Sequence, residues 1–159
     1  MRRRALSSIP PRPIEHARRR DRASGTMLRA HPRAELLAGM TVLVVDSHAD
    51  TREMVAQYVE LHGARVISIA TAADALVVLR AFQVDVLISS ASTLDDDDPG
   101  LALVTRMSTH PKWRAIGCVV VSCEAQPREL VGKWRRIVVL RRPFELERVL
   151  TATLQVAPP

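Results

Sequence analysis

MTVLVVDSHADTREM, residues 40–54, holds a strand, a turn and the start of a helix in one short stretch. Thr41–Val45 is an unbroken β-branched and aliphatic run without polar alternation, the pattern of a strand covered on both faces in a parallel sheet. Asp46-Ser47-His48-Ala49-Asp50 is a polar turn supplied with residues that cap a helix N-terminus. Beyond it Met54, Val55, Tyr58, Val59 and Leu61 recur at helical spacing, with Arg52, Glu53, Gln57 and Glu60 on the other face. Gly63 stands where such a helix stops. A buried strand feeding an amphipathic helix through a polar turn is the first half of a β–α–β unit.

Downstream the same unit repeats. Residues 65–70 (RVISIA) read as a second strand, and Thr71-Ala72-Ala73-Asp74 as a capping box opening a helix through Leu76, Leu79 and Arg80. Residues 84–89 (VDVLIS) give a third strand and 90–99 a loop. Residues 100–107 form a short helix with Leu101, Val104 and Met107 facing inward. Residues 116–122 (IGCVVVS) are a fourth strand, and 127–133 a short helix with Pro127 in its first turn. Residues 136–140 (RIVVL) are a fifth strand, followed by a helix over 145–154 with Leu146, Val149, Leu150 and Leu154 on one stripe. Five strands alternating with helices over short connections predict right-handed crossovers. The fold class is therefore α/β, a doubly wound parallel five-stranded sheet with helices on both faces.

Upstream the texture is different. The chain of 159 residues carries a formal net charge of +6, but the excess sits in residues 1–39, where ten arginines face three acids, Glu15, Asp21 and Glu35. The remaining 120 residues hold 13 basic and 14 acidic groups. With Pro10, Pro11, Pro13 and Pro32 and few large apolar side chains, residues 1–39 read as a disordered Arg/Pro-rich tail. Met27 and Met40 are alternative starts for the chain, and a short helix near 33–37 fits the local pattern. Residues 40–156 are the folded domain and 157–159 a short C-terminal tail. A uniformly basic nucleic-acid-binding fold is disfavoured, because the part able to fold is close to neutral. No apolar run reaches the roughly 18–20 residues that span a bilayer, and the charged start lacks the apolar core of a secretory signal. An Arg-rich, acid-poor leader also has the composition of an organellar transit peptide. Cys118 and Cys123 are too few for a disulfide framework or a zinc site and read as small buried apolar residues. A reducing, cytoplasmic setting fits this usage.

In an open parallel sheet, functional groups gather beyond the carboxyl ends of the strands. Those ends carry Asp46-Ser47, Ser89-Ser90, Ser122-Cys123 and Arg141-Arg142-Pro143. With VLVVDSHADTREM at the start, VDVLISS in the middle, VVVSC in strand 4 and VLRRPFELERVL at the end, residues 40–156 resemble the receiver domain of two-component response regulators, which has a flavodoxin-like (βα)5 fold. The resemblance implies a pocket that takes a phosphoryl group from a histidine kinase onto an aspartate at the end of strand 3. There, two acids after strand 1 help that aspartate hold Mg²⁺, while a Ser/Thr after strand 4 and a Lys before a Pro after strand 5 bind the phosphoryl oxygens. Such chemistry asks for a carboxylate nucleophile and hard oxygen ligands for the metal.

The match is incomplete. Asp46 corresponds to the first acid, but Ser47 replaces the second and Ser90 stands at the phosphoacceptor position. Arg142 replaces the lysine with a different donor geometry, whereas Ser122 and Pro143 match. Val139 occupies the place where many receivers carry an aromatic switch residue. The resemblance thus implies a degenerate receiver with no catalytic residues and no cofactor, in which Asp46 alone would hold Mg²⁺ weakly. Asp95, Asp96, Asp97 and Asp98 are an obvious substitute metal or cationic-partner site, but such a run reads more simply as a solvated loop. Asp85 lies near the start of its strand and is remote from the pocket. His48 reads as a solvated rim residue, and Trp113 and Trp134 as partly buried anchors at element edges. Isolated glycines argue against a Rossmann-type nucleotide enzyme, and no nucleophile–base pair argues for another enzyme class.

The leading expectation is a stand-alone receiver-like signalling module, with no output domain following, that acts independently of phosphorylation through protein contacts. Its partner would be a histidine kinase, another regulator or a second copy in a homodimer. The contact face would be formed by the helix at 127–133, the fifth strand and the final helix, enriched in charge by Arg135, Arg136 and Arg141. One alternative is a phosphorylated response regulator with an unconventional acceptor. Another is nucleic-acid or anionic-surface binding by the basic tail, through counterion release without aromatic stacking.

Overall fold

A computed structural model describes residues 35–91, 98–123 and 136–159. Along the chain it contains β1 (Thr41–Val45), α1 (Ala49–Glu60), β2 (Arg65–Ile69), α2 (Ala72–Ala81), β3 (Val86–Ala91), α3 (Pro99–Thr109), β4 (Gly117–Ser122), β5 (Ile137–Arg141) and α4 (Leu146–Val156). All five strands are parallel, in the order β2-β1-β3-β4-β5. The expected flavodoxin-like α/β fold is what the chain adopts. After β1 the chain first moves to one side for β2, then returns past β1 to β3. The ends of β1 and β3 therefore form the switch point at which open sheets of this kind place their sites. The expected tail at 1–34, the acids at 95–97, the helix at 127–133, Trp134 and Arg135 lie outside the described residues.

Alternation along the central strands divides the core into two layers. Leu43, Val45, Leu87, Cys118 and Val120 point to the side where α2 and α3 supply Ala75, Leu79, Leu101, Val104 and Met107. Val42, Val44, Val86, Ile88, Val119 and Val121 point to the other side, against Val55 and Val59 of α1 and Val149, Ala152 and Val156 of α4. Apolar residues on both faces of β1, β3 and β4 explain why these segments carry no polar alternation. Thr71 caps α2 as expected: its hydroxyl accepts from the Asp74 N–H and donates to the Asp74 carboxylate at 2.7 Å.

Several element details differ from the sequence reading. β3 runs two residues later than 84–89, and Asp85 just before it acts as a clasp at the amino end of the sheet. Its Oδ2 accepts from the Thr41 N–H at 2.8 Å, far from the carboxyl-end crevice. Ser90 consequently lies within β3, opposite Val121, rather than beyond it. Met54 of α1, Leu61 just after it and Leu154 of α4 are exposed, since the buried stripes are narrow and run through Val55, Ala56 and Val59, and through Val149, Ala152, Thr153 and Val156. Cys118 is buried, which pushes its thiol pKa up, whereas Cys123 is exposed and not a core residue.

Residues before Met40 also pack on the sheet. Leu37 is fully buried in the α1/α4 layer and its N–H donates to the His62 carbonyl at 2.9 Å. Gly63 makes this docking possible: its φ of +93° turns the chain out of α1, and a Cβ there would lie 3.1 Å from the Cβ of Glu35. Residues 35–39, expected to belong to the tail, thus pack on the domain.

Candidate functional site

Asp46 is the first residue past β1, and its N–H donates to the Ile69 carbonyl, keeping it aligned with the sheet. Its side chain is 6% exposed and each carboxylate oxygen is engaged. Oδ1 accepts from the His48 N–H at 2.8 Å, which closes the turn leading into α1. Oδ2 faces Arg142 Nη2 at 3.1 Å. The same guanidinium nitrogen donates to Ser90 Oγ at 2.8 Å. Arg142 follows the edge strand β5, and its own N–H donates to the Ser122 carbonyl, prolonging the β4–β5 ladder by one bond. From there its side chain passes over the end of β4 to reach both β3 and β1, the Arg142–Pro143 peptide being cis.

Four of the six expected pocket residues are therefore joined or stacked at one place: Asp46, Ser90 and Arg142 by direct bonds, and Ser122 through the β4 backbone to which Arg142 is anchored. Pro143 continues from Arg142 along the chain and is exposed, and Ser47 is exposed on the rim, with its hydroxyl 3.4 Å from His48 Nδ1. His48 is largely solvent-exposed, as its sequence context suggested. Arg52 turns back from α1 to donate to the Asp46 carbonyl at 2.7 Å, so it belongs to the site and not to the outer helix face. Within this bridge one buried carboxylate meets one guanidinium, and the serine hydroxyl completes it.

Asp98 corrects the reading of the aspartate run as wholly solvated. It is 6% exposed and caps α3, Oδ1 accepting from the N–H groups of Gly100 at 2.8 Å and Leu101 at 3.0 Å. A carboxylate at a helix start satisfies free N–H groups and faces the positive end of the helix dipole. Pro99 at the first helical position was the sequence signal for this cap, hidden because three further acids precede it. Asp98 lines a cavity of about 220 Å³ together with Asp46, Ser47, Thr71, Ser90 and Gly100. Gly100 lets α3 approach β3 closely, since a Cβ there would fall 2.0 Å from the Ser90 carbonyl oxygen.

The expected face residues separate. Arg141 is exposed at the carboxyl end of β5. Arg136 sits at the other end of the strand and donates to the carbonyls of Ala157 and Ala115. Trp113 is buried, its indole N–H donating to the Leu79 carbonyl at 3.1 Å. Among the described residues, no three His, Cys, Asp or Glu side chains converge as metal ligands, and no helix is long and apolar enough to cross a membrane.

No family model and no curated protein matches the chain. Solved structures do resemble it. A sensor protein from Polaromonas sp. JS666 aligns with a TM-score of 0.64 and 19% identity over 74% of this chain and 95% of that one. The chemotaxis response regulator CheY4 of Vibrio cholerae gives 0.63 and 22% over 74% and 98%. A response regulator receiver protein from Sinorhizobium medicae WSM419 gives 0.62 and 18% over 74% and 93%. At these identities the likeness is one of fold: the described chain has the architecture of a CheY-like receiver domain.

Proposed function

We propose that this chain is a receiver-like signalling module that works by protein contact, with its phosphorylation pocket closed by its own Arg142. The observation that carries the reading is the bridge from one guanidinium nitrogen to Asp46 and Ser90. In a phosphorylatable pocket this volume is needed for the metal ion and the incoming phosphoryl group. Here a permanent positive charge rests on Asp46, the acid directly after β1, and a hydroxyl occupies the acceptor position.

The donor set does not suit Mg²⁺. That ion prefers near-octahedral oxygen ligands including one or two carboxylates, whereas Asp46 has one oxygen facing Arg142 and the other on a backbone N–H. Ser47 and Ser90 offer neutral hydroxyls, and a cation entering would meet the guanidinium. Ser90 is no substitute nucleophile for acyl-phosphate chemistry, because a hydroxyl gives a phosphate ester and its Oγ is already held by Arg142. Loss of the two carboxylates and presence of the arginine are thus mutually consistent: with fewer negative charges to hold a metal, the pocket is neutralised from within.

Signalling then rests on which protein recognises the fixed conformation, with a histidine kinase or another regulator as the partner class. Beryllofluoride with Mg²⁺ tests this reading on the full chain. The wild type is expected to show no saturable change in tryptophan fluorescence. The triple variant Ser47→Asp, Ser90→Asp, Arg142→Lys restores the missing types and is expected to respond. A saturable response of the wild type would overturn the closed-pocket reading and favour phosphorylation at an unconventional acceptor.

A further inference from the structure

At the amino end of the sheet, opposite the Asp46 pocket, two hollows of about 540 and 290 Å³ adjoin one another. They share Leu79, Arg80, Lys112 and Trp113 in their linings, so they lie side by side as the two lobes of one surface groove. Its floor is apolar and rigid: Leu79, Val84, Trp113 and Ile116 are buried, and Trp113 is fixed by its bond to Leu79 and by His110 stacked on it at 3.8 Å. Phe82 is 59% exposed on the wall of the larger lobe, an unusual position for one of only five aromatic residues.

The walls are basic. Arg80 borders both lobes, Arg106 the smaller, Arg136 the larger and Lys112 both. Arg80, Arg106 and Lys112 are exposed, and among the described residues no carboxylate pairs with them. Asp85 is the one acid in either lining, and its carboxylate already accepts from the Thr41 N–H. The described part of the chain thus concentrates unpaired cations around an apolar floor at this place.

We infer that this groove docks an acidic peptide segment of a partner protein, with an apolar side chain of that segment against Phe82 and its carboxylates along Arg80, Arg106 and Lys112. Charge complementarity selects the sign of the occupant. The distribution selects its form. The cations line two lobes instead of converging on one point, and no run of glycines or helix N-terminus supplies the convergent N–H groups that hold a single phosphate. A string of carboxylates on an extended chain meets such a track better than a compact anion does. Lying beyond the far ends of the strands, the groove operates whatever the state of the Asp46 pocket.

A fluorescein-labelled Glu-Glu-Leu-Glu-Glu peptide, titrated with the full chain and followed by anisotropy, tests the inference. Reversing the groove charges (Arg80→Glu, Arg106→Glu, Lys112→Glu) is expected to weaken binding about tenfold or more. A charge-matched reversal in the tail (Arg18→Glu, Arg19→Glu, Arg20→Glu) is expected to weaken it less than about threefold, as a purely long-range effect would. Phe82→Ser, a change at an exposed side chain that leaves the charges in place, is expected to weaken binding severalfold. Equal losses for the two charge reversals, no effect of Phe82→Ser, or no saturable binding by the wild type would overturn the inference. Displacement of the peptide by a single-stranded oligonucleotide at lower concentration than by unlabelled peptide would overturn it too, assigning the groove to nucleic acid.

Discussion

Arg142 does in this molecule what no single residue type announces. The sequence placed Asp46, Ser90 and Arg142 at the ends of three strands, and the fold brings them together. That one nitrogen serves both Asp46 and Ser90 depends on the side chain crossing above β4, a matter of three-dimensional reach that spacing does not encode. Removing the guanidinium leaves a 6%-exposed carboxylate with the His48 N–H at 2.8 Å and the His48 ring nitrogen at 3.5 Å as its partners among the described residues. Because the Arg142 side chain is itself about a quarter exposed, the loss is expected to be moderate. Arg142→Ala should reduce stability by about 1–3 kcal/mol in urea unfolding. Arg142→Lys should recover only part of this, since the lysine ammonium ends short of the point that Nη2 reaches. Arg52 was missed altogether as a site residue, because helical periodicity assigns it to a solvent face and says nothing about a side chain folding back on the preceding turn.

At the scale of elements, the approach of α3 to β3 shapes the cavity beside Asp46. The contact is so close that only hydrogen fits at residue 100. Gly100→Ala places a methyl group 2.0 Å from the Ser90 carbonyl oxygen, so the start of α3 must move. A loss of about 2–4 kcal/mol is expected from that overpacking, read as a lowered unfolding midpoint. Asp98→Ala removes the acceptor for two N–H groups and should cost about 1 kcal/mol by the same measurement. The positions of α1, α2 and α4 were legible to within a few residues because their apolar positions repeat. The exposed Met54, Leu61 and Leu154 were not, since an apolar residue beside the buried stripe has the same spacing signal as one within it. Asp98 was obscured for a different reason: four identical charges look alike until one of them is held by a helix start.

On the scale of the whole molecule, the parallel sheet was readable because β1, β3 and β4 are apolar on both faces, which only a layer of helices on each side satisfies. The edge of the domain was less readable, since Leu36-Leu37 is a brief apolar pair at the end of an Arg- and Pro-rich stretch. The two leucines offer an internal comparison: Leu37 is fully buried, Leu36 is 47% exposed. Leu37→Ala should destabilise the fold by about 2–4 kcal/mol, whereas Leu36→Ala should stay within about 0.5 kcal/mol in the same thermal unfolding assay. With residues 35–39 packed on the domain, the basic excess belongs to residues 1–34, while residues 35–159 are near charge balance and place Arg80, Arg106, Lys112 and Arg136 around the groove at the amino end of the sheet. The carboxyl end is the opposite case, where Arg142 meets the buried Asp46 and the proposed reading is a pocket that takes no phosphoryl group. Incubating the full chain with acetyl phosphate and Mg²⁺ and weighing it by intact mass spectrometry tests that account most directly. An unchanged mass at concentrations that modify a receiver with all its carboxylates is the predicted result, and a stoichiometric phosphoryl adduct on the wild type would contradict it.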